Sequence, residues 1–118
     1  MSAHRTSDQP PVYQLKAELF RVLGHPVRVR ILELLRDGER TVGDLQQAIG
    51  LDSSGTSQHL SALRKVDMVE SRREGTSVHY RLKDPRTSQL LEIARQILTT
   101  SIQESQSLLA QLADPEAG

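Results

Sequence analysis

The first half of the chain repeats one pattern, in which apolar residues recur at steps of three and four positions and the run then closes on a glycine. The stretch VYQLKAELFRVLG follows this pattern from Val12 to Leu23 and ends at Gly24, a usual residue just past a helix end. The stretch HPVRVRILELLRDG has Pro26 at a position that suits the first turn of a helix, and it ends at Gly38. The pattern therefore predicts two helices over residues 12 to 38.

Two shorter amphipathic stretches follow with almost no chain between them. In TVGDLQQAIG, Thr41 suits the N-cap and Gly50 ends the helix. In LDSSGTSQHLSALRKV, either Asp52 or Ser53 suits the N-cap, and an apolar stripe passes through Leu60. Two short helices joined by a tight turn form a helix-turn-helix unit.

The period then changes from helical to alternating. Residues 69 to 82 alternate along VESRRE and SVHYRL around a turn at Glu74-Gly75-Thr76, which predicts a β-hairpin. The helical period returns after Asp84-Pro85 and continues to Leu112, although the Ser- and Thr-rich stretch LTTSIQES leaves a break in this last helix open. The predicted fold is mostly α with a small β-hairpin, in the order α-α-α-α-β-β-α.

Length and composition refine this picture. The chain has 118 residues, and only 3% of them are aromatic, so a single small domain must build its core from aliphatic side chains. Such a core buries limited surface, which makes a homodimer an expectation. We predict one domain over residues 12–112, with polar, Pro-containing ends at 1–11 and 113–118 as disordered tails.

The absence of cysteine removes disulfides, thiolate metal sites and thiol nucleophiles from consideration. No stretch has the apolar run of a signal peptide or of a membrane span. The expected location is the cytoplasm, without membrane association.

Charge is neutral over the whole chain but uneven along it. Residues 53 to 83 carry six Lys and Arg against three Asp and Glu, which gives a local charge of +3. From residue 101 onward only three residues are charged, and all three are acidic. From charge alone, a solvated set of surface charges is the preferred explanation, so charge does not by itself predict a polyanion partner.

Four pieces in order resemble the bacterial ArsR/SmtB-type winged helix-turn-helix repressors. They are LGHPVRVRILELL, TVGDLQQAIGLDSSGTSQHLSALRKVDMV, the hairpin ESRREGTSVHYRL and a closing helix, and the resemblance covers roughly residues 15 to 102. It implies a winged helix-turn-helix dimer formed by the first and last helices, with the fourth helix in a DNA major groove and the hairpin tip on flanking backbone or minor groove. Asp67 stands where the family commonly has glycine, and Asp tolerates the left-handed conformation better than most residues.

The polar start of the fourth helix fits this reading, because a recognition helix presents its first turns to bases and phosphates. Gln58 can read adenine through two hydrogen bonds, and Gly55 would allow close approach to the groove. Capping is the alternative role for Ser53, and packing against the second helix or the hairpin is the alternative for His59. Arg81 is expected to face solvent or a neighbouring carboxylate. The predicted DNA-binding residues are Ser53, Ser54, Thr56, Ser57, Gln58, His59, Ser61 and Arg64 on the helix and Arg72, Arg73 and Thr76 on the hairpin.

The two metal sites that the resemblance implies lack their ligands here. The thiolate site would need Cys-x-Cys, where this chain has Thr41-Val42-Gly43. The last-helix site would combine Asp84 with donors at the positions of Arg86, Ile97 and Thr100, and only the aspartate can serve. We predict no metal site and no cofactor. A nickel or zinc site formed by one of the scattered histidines, His79 or His4, with a partner subunit is the minor alternative.

The chain has no Gly-rich phosphate loop and no Ser-His-acid or paired-acid arrangement with supporting context, so it is not predicted to be an enzyme. We predict a sequence-specific DNA-binding transcriptional regulator, a repressor, whose partners are an inverted repeat in double-stranded DNA and a second copy of the chain. A separate sensor protein is a further candidate partner. The alternative function is a protein-interaction adaptor that regulates through a partner protein or a ligand-sensing subunit.

Overall fold

The computed structural model describes residues 9 to 113 and confirms the predicted winged helix-turn-helix architecture. It forms two units, of which the first extends to Pro85 and the second begins at Arg86. The elements of the described residues are α1 Val12–Leu23, α2 Pro26–Leu34, β1 Arg40–Thr41, α3 Val42–Ile49, α4 Ser53–Lys65, β2 Val69–Glu74, β3 Ser77–Leu82 and α5 Arg86–Ala113. The tails predicted at 1–11 and 113–118 lie mostly outside the described residues.

Side-chain caps fix the starts of the two helices of the helix-turn-helix unit. The hydroxyl of Thr41 accepts a hydrogen bond of 3.0 Å from the backbone N–H of Asp44, at the start of α3. The carboxylate of Asp52 accepts one of 2.7 Å from the N–H of Gly55, at the start of α4. Asp52 is therefore the N-cap of α4, and Ser53 is its first helical residue.

The turn at the end of α4 forms with Asp67 at the position where glycine is common. Asp67 adopts the left-handed conformation, with φ 61°. Its N–H donates to the carbonyl of Arg64, and the N–H of Met68 donates to the carbonyl of Leu63, which is the hydrogen-bond pair of a Schellman motif. The prediction that Asp67 preserves this turn is confirmed.

The hairpin is confirmed, and the sheet contains a strand that the sequence did not reveal. β2 and β3 pair antiparallel across a two-residue turn that begins with Gly75 at φ 63°. β1 pairs with the other edge of β3, with Arg40 opposite Tyr80 and Thr41 opposite His79, so the strand order is β1-β3-β2. A two-residue strand is too short to show alternation, because its existence depends on pairing with a distant segment.

An aliphatic core holds the first unit together and orients α4. Leu60 and Leu63 of α4 are almost completely buried, as is Leu45 of α3. Burial of apolar surface contributes roughly 25 cal/mol per Å², so these leucines determine which face of α4 points inward. The opposite face is left to solvent. The buried apolar residues of this unit are Val22, Leu23, Ile31, Leu32, Leu35, Leu45, Leu60, Leu63, Met68, Val69 and Tyr80.

The second unit is one continuous helix of 28 residues, so the break left open in LTTSIQES does not occur. Serine and threonine each cost only a few tenths of a kcal/mol in a helix, and good helix formers flank the stretch. Two helices leave large apolar side chains more than half exposed. They are Val12, Tyr13, Leu15 and Phe20 on α1, and Ile93, Ile97, Leu98, Ile102, Leu108, Leu109 and Leu112 on α5. No helix in the described part of the chain is both long and apolar enough to cross a membrane.

Candidate DNA interface

The exposed face of α4 carries a continuous row of hydrogen-bonding side chains. Ser54, Ser57, Gln58 and Ser61 follow each other at steps of three, one and three residues, and all are exposed. They face outward because the leucine stripe of the same helix is buried. The structure therefore brings these predicted residues together on one surface, with Ser53 exposed at the helix start.

This row forms one wall of an open groove of about 510 Å³ between α4 and the end of α1. Glu18 and Arg21 of α1 and Arg28 of α2 also line the groove, and the sequence had not indicated any of them. Glu18 and Arg21 form an ion pair of 2.6 Å, and the hydrogen bond from Arg21 lowers the pKa of the Glu18 carboxyl. Their spacing of three residues on a helix was the one signal that could have marked them as an exposed pair.

The prediction that Thr56 contacts DNA is wrong. Its side chain is fully buried, and its hydroxyl donates a hydrogen bond of 2.9 Å to the backbone carbonyl of Asp52. A contact within the protein, rather than DNA, explains why glycine is favoured at position 55. A Cβ at Gly55 would lie 3.0 Å from the capping carboxylate oxygen of Asp52, so the cap, rather than an approaching DNA strand, favours glycine here.

His59 is half-buried and contacts the start of α2, which is the alternative that the sequence had left open for it. The Nε of Arg28 donates a hydrogen bond of 3.2 Å to His59 Nδ1, and the ring of His25 lies 4.4 Å from the His59 ring. Partial burial, together with the charges of His25 and Arg28, lowers the pKa of His59. The imidazole is therefore neutral near pH 7, with Nδ1 as an acceptor.

The hairpin holds its two neighbouring arginines differently. Arg72 donates to both carboxylate oxygens of Glu39 and to Glu74, with shortest distances of 2.6 Å to each residue. These hydrogen bonds lower the pKa of both carboxyl groups. Arg73 is exposed, and its guanidinium has no hydrogen-bond or ion-pair partner among residues 9 to 113. Thr76 is exposed at the turn.

The other Arg and Lys side chains of residues 53 to 83 include three that form hydrogen bonds or ion pairs within the first unit. Arg64 donates to the hydroxyl of Ser71 at 3.2 Å and so keeps an uncompensated charge. Arg81 pairs with Glu70 at 2.7 Å, which confirms its predicted carboxylate partner, and Lys83 pairs with Asp67 at 3.1 Å. Within residues 53 to 83, the cations without a carboxylate partner among the described residues are Arg64, Lys65 and Arg73, and Lys65 also lines the groove.

Metal-ligating side chains are scattered over the described residues. No group of three or more His, Asp or Glu side chains among them is placed to hold a metal ion. His79 Nδ1 and Glu39 Oε1 lie 3.4 Å apart, without a third ligating side chain placed to complete a site with them in this part of the chain.

Residues 25–71, from the start of α2 into β2, match the arsR family of bacterial regulatory proteins. An HTH-type transcriptional regulator of Mycobacterium tuberculosis, Rv0081, is 41% identical over 106 residues, which cover 89% of this chain and 93% of the relative. The chain belongs to the arsR family. A biofilm growth-associated repressor of Xylella fastidiosa is 38% identical over 91 residues, covering 77% of this chain and 78% of the relative.

Solved structures agree with this assignment. The crystal structure of Rv0081 superposes with a TM-score of 0.76 at 42% identity, covering 82% of this chain and 98% of the other. The solution structure of Mb0332 from Mycobacterium bovis, a homodimeric winged helix-turn-helix DNA-binding domain, gives a TM-score of 0.72 at 27% identity, covering 88% and 93%. The protein is a DNA-binding transcriptional regulator and not an enzyme, as the sequence predicted.

Proposed function

We propose that the protein is a cytoplasmic, homodimeric repressor that places α4 of each copy in a DNA major groove. The observation that supports this most directly is the exposed row on α4. The buried leucines of this capped helix fix its orientation, so Ser57 and Gln58 face outward. Neither side chain forms a hydrogen bond with another of the described residues that would compete with DNA. A repressor role is supported by relatives named as repressors, such as that of Xylella fastidiosa.

Gln58 is the best candidate for base reading. Its amide carbonyl can accept from N6–H of adenine while its NH2 group donates to N7. Ser53, Ser54, Ser57 and Ser61 can accept or donate to bases and phosphates alike. Arg64, Lys65 and Arg73 supply the charge for phosphates, since no carboxylate of the described residues neutralises them. Thr76 and His59 are secondary: the first lies at the turn, and the second is already engaged by Arg28.

The dimer explains the exposed apolar surfaces of α1 and α5. Large apolar side chains exposed on a helix in this number are costly in water and mark interaction sites on soluble proteins. The relative Mb0332 is homodimeric, which supports a second copy as the partner. Analytical ultracentrifugation should give a dimer mass at micromolar concentration. Leu98→Glu should shift it toward monomer, whereas Gln103→Glu, which adds the same charge on the same helix, should not.

A two-fold dimer imposes its symmetry on the operator. We therefore expect an inverted repeat whose half-sites lie about 34 to 36 Å apart, or a multiple of this, along the duplex. Selection of bound duplexes from a random pool, followed by fluorescence anisotropy on the selected and a scrambled sequence, tests this directly. If the protein bound neither duplex at low salt, the DNA proposal would be wrong and the adaptor role would replace it.

Regulation is proposed to act through a small molecule or a separate sensor protein. The chain has no thiolates, and the last-helix positions Arg86, Ile97 and Thr100 offer no suitable ligands to complement Asp84. Calorimetry with Ni(II), Zn(II) and Co(II) should detect no submicromolar site. If a site of one per subunit appeared, His79→Ala and His4→Ala would show whether either histidine forms it.

A further inference from the structure

Glu39 and Arg72 connect the hairpin to the rest of the first unit. Glu39 immediately precedes β1, whereas Arg72 lies on β2, the strand at the far edge of the sheet. The Nε of Arg72 donates to both oxygens of Glu39 at 3.0 and 3.1 Å, and one Nη donates to Oε1 at 2.6 Å. His79 of β3 reaches the same carboxylate at 3.4 Å, so the contact joins β2 and β3 to the residue that precedes β1.

The charges around Arg72 oppose a role as a phosphate contact. Two carboxylates, those of Glu39 and Glu74, compensate its one positive charge. A guanidinium that left them for a phosphate would expose both carboxylates to the DNA polyanion. Arg73, the next residue along the strand, points to the other face and has no such compensation. The two arginines are therefore suited to different tasks.

We propose that Arg72 is a positioning residue for DNA binding, whose forked ion pair with Glu39 fixes the hairpin so that Arg73 can reach the DNA backbone. This inference rests on the proposed DNA-binding function of the hairpin. Arginine suits the task because its planar donors match a carboxylate at two points and thereby define an orientation. Lysine at the same position would keep the charge but lose this geometry.

The chain offers a matched pair of substitutions that separates positioning from charge. Glu39→Gln and Glu74→Gln each remove one negative charge next to Arg72, but only Glu39 belongs to another segment of the unit. If Arg72 positions the hairpin, Glu39→Gln weakens DNA binding by roughly threefold to tenfold while Glu74→Gln does not weaken it. If the carboxylates merely attenuate a phosphate contact, both variants tighten binding.

Fluorescence anisotropy across a salt series on operator and scrambled duplexes is the measurement. Arg72→Ala should weaken binding at least as much as Glu39→Gln, because it also leaves Glu39 and Glu74 uncompensated, and it should leave the salt slope unchanged. Arg72→Lys should not restore binding, whereas the exchange Glu39→Arg with Arg72→Glu should. Thermal unfolding of each variant identifies any that fails to fold. If a single variant does not fold, the affinity of the double variant Glu39→Arg with Arg72→Glu tests the proposal instead. A slope lowered by about one unit in Arg72→Ala, with recovery in Arg72→Lys, would overturn the proposal, as would unchanged affinity in Glu39→Gln.

A second readout does not depend on DNA. Amide hydrogen exchange of β3 in the free protein should accelerate in Glu39→Gln and stay unchanged in Glu74→Gln. If wild-type protein bound no DNA, the proposed function would fail while this exchange difference still tested the ion pair. If both glutamine variants exchanged like wild type, Glu39 would not hold the hairpin and the positioning role would be refuted.

Discussion

Arg28 at the start of α2 donates a hydrogen bond of 3.2 Å to His59 on α4, and His59 can accept it only while its Nδ1 carries no proton. The same guanidinium also donates to the backbone carbonyl of Val22 at the end of α1. One arginine therefore connects three helices around the groove. Protonation of His59 would remove the acceptor and place a second positive charge beside Arg28.

This relationship predicts a pH dependence of stability. Partial burial, with His25 and Arg28 nearby, lowers the pKa of folded His59 below its ordinary value of 6.5. As pH falls below about 6.5, the unfolded chain takes up the proton first, so the free energy of unfolding decreases, by at most about 1.4 kcal/mol per pH unit for one group. Above that pH both states are neutral and the contribution is constant. Urea unfolding between pH 5 and 7 measures it.

His59→Gln removes the titrating group but keeps an oxygen that can accept from Arg28. This variant should show a smaller decrease in stability between pH 7 and 5 than wild type. His4→Gln, which removes an imidazole outside the described residues, is the control and should follow the wild-type curve. Equal slopes in wild type and His59→Gln would show that the histidine does not titrate in this window.

Gln58→Ala should reduce sequence discrimination. Loss of a two-point contact to adenine should cost about 1 to 3 kcal/mol on the preferred duplex and little on a scrambled one, with the salt slope nearly unchanged. Gln47→Ala makes the same change on the exposed face of α3 and should alter both duplexes equally. Anisotropy titrations on the two duplexes measure both quantities. A uniform loss in Gln58→Ala would assign Gln58 to the backbone instead.

Arg73→Ala should weaken binding to both duplexes alike. If its unpaired guanidinium contacts a phosphate, its removal lowers the slope of log affinity against log salt by about one unit. Arg81→Ala is the matched control, because Arg81 lies on the same hairpin but is neutralised by Glu70. A changed base preference in Arg73→Ala, at constant slope, would contradict the assignment to the backbone.

The turn after α4 predicts an unusual response to substitution at Asp67. Its φ of 61° costs alanine more than aspartate or glycine, so Asp67→Ala should lose about 1 kcal/mol of folding free energy while Asp67→Gly should not. Lys83→Gln removes only the ion pair to Asp67 and isolates that contribution. Chemical denaturation provides the values. If the alanine and glycine variants were equally stable, the left-handed conformation would not limit stability.

Local sequence determined most of the helices and strands and much of the exposed face of α4. Gly50 ends α3 at φ 82°, Thr41 caps its start, and the leucine stripe of α4 fixes which residues of that helix are exposed. These signals act within a few residues of each other along the chain, so periodicity and cap chemistry are sufficient to predict them. The Asp67 turn belongs to the same class.

Tertiary structure decided what depends on partners far apart in the sequence. Glu39 and Arg72 are 33 residues apart, the two pairs that create β1 are 40 and 38 residues apart, and no local pattern encodes them. Thr56 looked like an exposed recognition residue by composition, but its burial follows from the packing of α4 and from the carbonyl of Asp52. The sequence by itself therefore determined which helix can read DNA, because caps and apolar periodicity are local. Folding alone determined which arginine remains free to bind it, because ion pairs form only between segments that the core has brought together.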